Sequence, residues 1–242
     1  MGLRGVFRFP DAEHVAEAAA VHVLAAAREA FQRHGRFLLG LSGGRTPVPT
    51  FAELVAESSS AAIDWNRTQI YFADERAVPP DHPDSNYRLA REALIDPLGI
   101  PPRNVHRMKG EYPDLDVAVE EYEAHLTEPL DCLLLGIGED GHVASLFPHH
   151  AALNQERRRV AAVLDAPKPP PRRLTLTPRA LAEAWDVLVL ATGAEKADAV
   201  ARALEGEGPA SDLPARLLRE RTWLIDRAAS AALTMFPGGR GA

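Results

Sequence analysis

The sequence predicts an α/β fold: a mostly parallel central sheet with helices on both faces. Two observations predict it. Short apolar runs alternate with longer amphipathic stretches along the whole chain, the pattern of strands joined by crossover helices. Runs such as "CLLLG" and "DVLVLA" are apolar at nearly every position, as strands are when both faces of their sheet are covered. The chain has 242 residues, 46% of them hydrophobic and 25% charged, ordinary values for a chain with a core. No internal repeat or interdomain linker shows, so a single domain over 1–242 is expected.

The elements follow in order. "GVFRFP" is a short first strand. Asp11 caps the long Ala-rich helix "AEHVAEAAAVHVLAAAREAFQRHG", which Gly35 closes. "RFLLGLS" is a strand and "VPTFAELVAESS" a helix. "TQIYFAD" is a strand, followed by the Pro-rich loop "ERAVPPDHPDSNY". "YRLAREALIDPLG" is a helix, "NVHRMKG" a short strand or extended piece, and "DLDVAVEEYEAHL" a helix. The strand "DCLLLG" leads into "IGEDGHVASLFPHH". "RRVAAVLDAP" and "RRLTLT" are two further strands around "PKPPP". "PRALAEA" is a helix with proline in its first turn. "WDVLVLATG" is a strand, "AEKADAVARALEG" and "LPARLLRER" are helices, and "TWLID" is the last strand. The Gly-rich tail "GGRGA" is expected to fray.

Composition excludes several classes. The net charge of −7 argues against a nucleic-acid partner, which needs a basic face. The densest basic run, Arg157-Arg158-Arg159, reads as a solvated loop or helix end. No run approaches the length of a membrane span. "MGLRGVFRFPDAEH" turns acidic before an apolar stretch can form, so no signal peptide is expected. Met1-Gly2 lacks the Ser or Thr of a myristoylation motif. The single cysteine, Cys132, is expected to pack as a small hydrophobe. A cytoplasmic protein is expected. Scattered surface alanines and leucines define no patch, which fits a monomer or weak homodimer.

In a parallel sheet ligands bind at the carboxyl ends of the strands, so the loops after strands carry the function. Ser42-Gly43-Gly44-Arg45-Thr46 follows a strand, and Pro47 begins a helix. Two glycines let successive N–H groups face one point, and the hydroxyls and Arg45 add donors. This is a phosphate cradle without the Walker G-K-[ST]. Asp74, Glu75 and Arg76 follow the next strand. Three adjacent charges are expensive to bury without partners, and Pro79, Pro80 and Pro83 are expected to stiffen the loop that holds Arg76. His82 is expected at the surface. After "LVLATG", Lys196 sits in a first helical turn. There it opposes the helix dipole unless an anion shares the site.

The loop "GIGEDGHVASLFP" spells G-x-G-x-x-G at Gly136, Gly138 and Gly141. A dinucleotide reading conflicts with Glu139 and Asp140, whose charges would repel a pyrophosphate, and with Pro148, which stops the required helix. Asp165 is the one match, near the place of a ribose-binding acid. The better reading is catalytic: Asp140 and His142 flank one glycine, and a carboxylate-oriented histidine serves as a general base. A metal set of Asp140, His142, His149 and His150 matches no standard spacing.

Taken together, "LSGGRTP", "FADERAVPPDHPDSNY", "LLLGIGEDGHVASLFP", "PKPPPRRLTLT" and "TGAEKADAV" resemble the 6-phosphogluconolactonase family, in the family's order, over about Val6 to Leu233. The resemblance implies a Rossmann-like fold, shared with glucosamine-6-phosphate deaminase and ribose-5-phosphate isomerase. It implies hydrolysis of 6-phospho-D-glucono-1,5-lactone in the oxidative pentose phosphate pathway, with a phosphosugar lactone as the partner and no metal or organic cofactor. His142, Asp140 and Arg76 are the catalytic candidates. Ser42, Gly43, Gly44, Arg45, Thr46 and Lys196 are the candidates for the phosphate, with Asp74 and Arg172 at the rim. Arg45 and Glu139 depart from residues common in the family. The deaminase relatives carry an aromatic in place of Arg76 and a "FNEP"-like acid where this chain has "SLFP". A sugar-phosphate deaminase is therefore the alternative. A sugar-phosphate-sensing regulator is the third, and it lacks room for a helix-turn-helix.

Overall fold

The computed structural model describes residues 5–58 and 63–235. The N-terminal Met1-Gly2 and the tail "GGRGA" lie outside them. Among the described residues nine strands form two sheets. Strands β1 (Gly5–Phe9), β2 (Phe37–Leu41), β3 (Thr68–Phe72), β5 (Cys132–Gly136), β8 (Asp186–Ala191) and β9 (Thr222–Asp226) make a parallel sheet in the order β1-β9-β8-β5-β2-β3. Strands β4 (Asp74–Arg76), β6 (Val160–Val163) and β7 (Arg173–Leu176) make an antiparallel sheet in the order β4-β7-β6.

Both faces of the large sheet are covered. Every residue of β2 and of β9 is buried. Helix α1 (Ala12–His34) lies across β9, β8, β5 and β2 and packs on α2 (Val48–Ala56). Its alanines at helical spacing, among them Ala16, Ala19, Ala20, Ala27 and Ala30, allow close approach to the sheet. Asp11 caps it by accepting from the His14 N–H, and Gly35 ends it in the left-handed conformation. On the opposite face Trp223 of β9 donates to the Leu218 carbonyl, so the 3-10 turn Pro214–Leu218 covers it. Two more helices, α4 (Leu115–His125) and α5 (Pro178–Glu183), follow the sequence reading.

"NVHRMKG", expected as a short strand or extended piece, is the extended piece, with one bridge from Val105 to Ile70. Other expectations needed correction. "YRLAREALIDPLG" holds a short helix, α3 (Asn86–Ala90), that runs into a π turn at Arg91–Ile95. "LPARLLRER" makes only the 3-10 turn. "AEKADAVARALEG" opens with a 3-10 turn before α6 (Ala197–Leu204). Exposed apolar residues are not all scattered: Val21 and Trp185 line one groove with Phe7 and Phe9. Among the described residues no helix is long and apolar enough to cross a membrane.

Strand order fixes where a ligand sits. The chain runs from β2 outward to β3, whereas β5, β8 and β9 run the other way, so order reverses between β2 and β5. A crevice opens at such a switch point, at the carboxyl ends. Edge strand β3 is finished from α4: the Tyr122 hydroxyl accepts from the Phe72 N–H at 2.7 Å and donates to the Phe72 carbonyl at 3.0 Å. Tyr122→Phe leaves both backbone groups buried without partners and should lower the unfolding free energy by about 1–3 kcal/mol. Urea denaturation checks this, and an unchanged midpoint would show that the hydroxyl contributes nothing there.

Candidate active site

A cavity of about 680 Å³ opens at the switch point. Ser42, Gly43, Gly44, Arg45 and Thr46 line it from the turn after β2, Asp74 and Arg76 from β4, His142 from the turn after β5, and Lys196 from the turn after β8. Thus nine of the sequence candidates share one space. Asp140 sits behind His142 and outside the lining.

The first wall is the Ser42 loop. Ser42 is buried, and its hydroxyl has no protein partner. Gly43 is a close-approach position: a Cβ there would lie 1.8 Å from Asn86 Oδ1. Arg45 is exposed at the cavity rim. Arg76 spends Nη1 on the Asp84 carbonyl at 2.7 Å, while its Nε is buried and unpaired. Both residues line the cavity, and each carries a buried donor without a protein partner, where buried polar groups are normally satisfied.

Asp74 was expected at the rim. It is a floor residue, 5% exposed. Its Oδ1 accepts from Asn86 Nδ2 at 3.0 Å and its Oδ2 from Ser145 Oγ at 2.6 Å. The cause is β4, which pairs with β7 and draws Asp74 inward. The same pairing corrects Arg172. It donates to the Pro113 carbonyl on the far side and does not touch the cavity. Its neighbour Arg173 points the other way, as strand alternation requires. Arg173 is buried and lines the cavity, with its guanidinium over the Phe147 ring and bonded to the Lys168 and Pro170 carbonyls. Sequence reasoning chose the wrong arginine because only register separates them.

The turn after β5 brings Asp140 and His142 together, with one addition. His142 Nδ1 bonds Asp140 Oδ1, and the imidazole packs on Phe147 at a centroid distance of 4.6 Å. Burial alone would raise the Asp140 carboxyl. The hydrogen bond and charge of His142, with the charge of Lys168, outweigh it and hold the group well below the usual carboxylate range. Lys168 Nζ lies 3.3 Å from Asp140 Oδ1 and lines the cavity, a role its place in "PKPPP" did not signal. Gly138 leaves room for the histidine: a Cβ there would sit 2.0 Å from His142 Nδ1. No helix opens after Gly141. Of the other histidines, His149 faces Asp212 and His150 bonds Asp165, and neither lines the cavity. Lys196 is 3.9 Å from Glu139 and otherwise faces the cavity.

The fold thus brings an acid–histidine pair and a glycine turn to one cavity at its switch point. Residues 10–225 match the family model described as glucosamine-6-phosphate isomerases/6-phosphogluconolactonase. The 6-phosphogluconolactonase of Mycobacterium tuberculosis is 39% identical, over 93% of this chain and 96% of that protein. That of Streptomyces coelicolor is 39% identical over 92% of each. The solved structure of 6-phosphogluconolactonase from Trypanosoma brucei superposes with a TM-score of 0.84 at 27% identity, covering 97% of this chain and all of that one (100%). The chain belongs to the glucosamine-6-phosphate isomerase/6-phosphogluconolactonase family.

The depressed Asp140 carboxyl has a sign that can be tested. A carboxylate held low in the fold adds stability above its unfolded value, about 3.9, and loses it as pH falls toward the folded value. The unfolding free energies of the wild type and of Asp140→Asn should therefore differ most above about pH 4 and converge in more acid solution. Acid titration followed by circular dichroism measures this, and a gap that widens with acid would contradict the assignment.

Proposed function

We propose that the chain hydrolyses 6-phospho-D-glucono-1,5-lactone to 6-phospho-D-gluconate, the lactone step of the oxidative pentose phosphate pathway. The observation that carries this reading is the Asp140–His142 bond at a cavity that Ser42, Arg76 and Lys196 also line. Asp140 on Nδ1 fixes the imidazole with its proton there, so the Nε2 lone pair is the base. Nε2 takes a proton from water as the water oxygen bonds C1. The tetrahedral adduct then collapses. The C1–ring-oxygen bond breaks, and the imidazolium returns the proton to the leaving oxygen. Asp140 stays ionised throughout and stabilises the imidazolium between the two steps. No metal enters these steps.

The oxyanion at C1 needs donors fixed in advance. Arg76 and the backbone N–H groups of the glycine loops supply them. The phosphate on C6 is held by Ser42 Oγ, the N–H groups of Gly43 to Thr46 and the charge of Lys196, with Arg45 at the rim. Gripping the phosphate at a distance orients C1 for attack. Phe147 stands beside His142 in the "SLFP" segment, the stretch where the deaminase relatives carry their acid, so the geometry favours the lactonase over the deaminase.

Two variants test the reading. His142→Ala should lower kcat for lactone hydrolysis by at least about 10², with little change in KM, as loss of a general base does. Near wild-type turnover would remove His142 from the chemistry. Lys196→Ala should mainly raise KM, by about tenfold for one lost charged contact; an unaltered KM would take Lys196 out of the phosphate site.

A further inference from the structure

Glu75 is the most buried acid near the site that the mechanism does not use. It is 3% exposed, and its side chain accepts four hydrogen bonds. Oε1 takes the N–H of Arg76 at 2.7 Å and of Asn86 at 2.8 Å. Oε2 takes the N–H of Tyr87 at 2.8 Å and the hydroxyl of Ser85 at 3.0 Å. One carboxylate therefore ties the first residue of the Pro-rich loop to its last three. Arg76 and Asn86, at the two ends of that closure, both line the cavity. Asn86 in turn bonds Asp74 and fills the space left by the missing side chain of Gly43.

We infer that Glu75 is a positioning residue: by closing the loop from Arg76 to Tyr87 it holds Arg76 and Asn86 against the cavity. The inference rests on the lactonase reading for its activity assay. Burial pushes the Glu75 carboxyl up, and its four donors counter that. The group is thus kept at a cost a surface loop would not bear. Two further ties join the same ends, from Arg76 Nη1 to the Asp84 carbonyl and from Asn86 Nδ2 to Asp74, and the helix turn that Ser85 caps follows them.

Glu75→Gln keeps the shape and replaces one acceptor oxygen with a donor aimed at an N–H. It should lower kcat/KM for lactone hydrolysis about tenfold, the size of a lost charged hydrogen bond. In an Arg76→Ala background the same change should cost at most about threefold, because residues acting through one another are not additive. Equal factors in both backgrounds, or a wild-type kcat/KM in Glu75→Gln, would overturn the inference. If Glu75→Gln does not fold, Ser85→Ala removes one donor, and its smaller loss should likewise shrink in the Arg76→Ala background. If the wild type hydrolyses no lactone, the functional reading fails alone. The same cycle is then measured as the affinity for inorganic phosphate by calorimetry, where an affinity unchanged by Glu75→Gln would overturn the positioning role.

Discussion

Two successive carboxylates, Asp74 and Glu75, are buried where the chain leaves the parallel sheet, and the site hangs on how they are satisfied. Asp74 has one cation within ion-pair range, the buried Arg173 guanidinium at 3.9 Å, while the bonds to Glu75 come from uncharged donors. Their partners are hydroxyls, an amide and backbone N–H groups drawn from three segments: residues 85–87, Ser145 and the strand itself. Buried charge without such bonds would cost several kcal/mol. This corner is therefore held with the Pro-rich loop closed and the turn after β5 docked through Ser145.

The glycine spelling in the catalytic turn has a different cause from the one it suggests. In a dinucleotide site glycine makes room for a phosphate. Gly138 makes room for an imidazole, since any side chain there would strike the His142 ring. The proposed phosphate turn is the Ser42 loop on the neighbouring strand β2, and there Gly43 yields space to Asn86. Both glycines exist for a neighbouring side chain. That is why a motif of spacing alone misread the turn, and why the acids Glu139 and Asp140 were the better guide.

Legibility followed range. The parallel sheet, the capped first helix and the three strand-end loops were readable, because period, cap and turn chemistry are local. What the sequence hid is set by pairing between distant segments. Strand β4 exists only because β7 lies beside it, and with β4 came the floor position of Asp74 and the inward turn of Arg173 instead of Arg172. Lys168 and Asn86 gave no local signal. The first reaches Asp140 from a Pro-rich loop, and the second acts by filling the space over a glycine. Glu75 was legible as a charge needing partners, though not which partners.

A chain of net charge −7 that is to hold an anion, as proposed, must separate its charges in space. Arg45, Arg76, Lys168, Arg173 and Lys196 all line the one cavity. Of the acids that line it, Asp74 is engaged by Asn86 and Ser145 and Asp226 by the N–H groups of Gly193 and Ala229, while Glu139 and Glu195 flank Lys196 at the exposed side; Asp140, behind the lining, is engaged by His142 and Lys168. Engaged carboxylates present less unscreened charge to a ligand, while Arg76 keeps a free donor. Surface acids farther than about 8 Å are damped at physiological salt, whereas groups inside the cavity are not. The local field can thus favour a phosphate although the molecule as a whole repels one. This also gives Lys168 and Lys196 distinct surroundings, the first against the Asp140–His142 pair and the second beside Glu139 near β8. An extended substrate with charge at one end and a carbonyl at the other matches a cavity whose cations are spread along it.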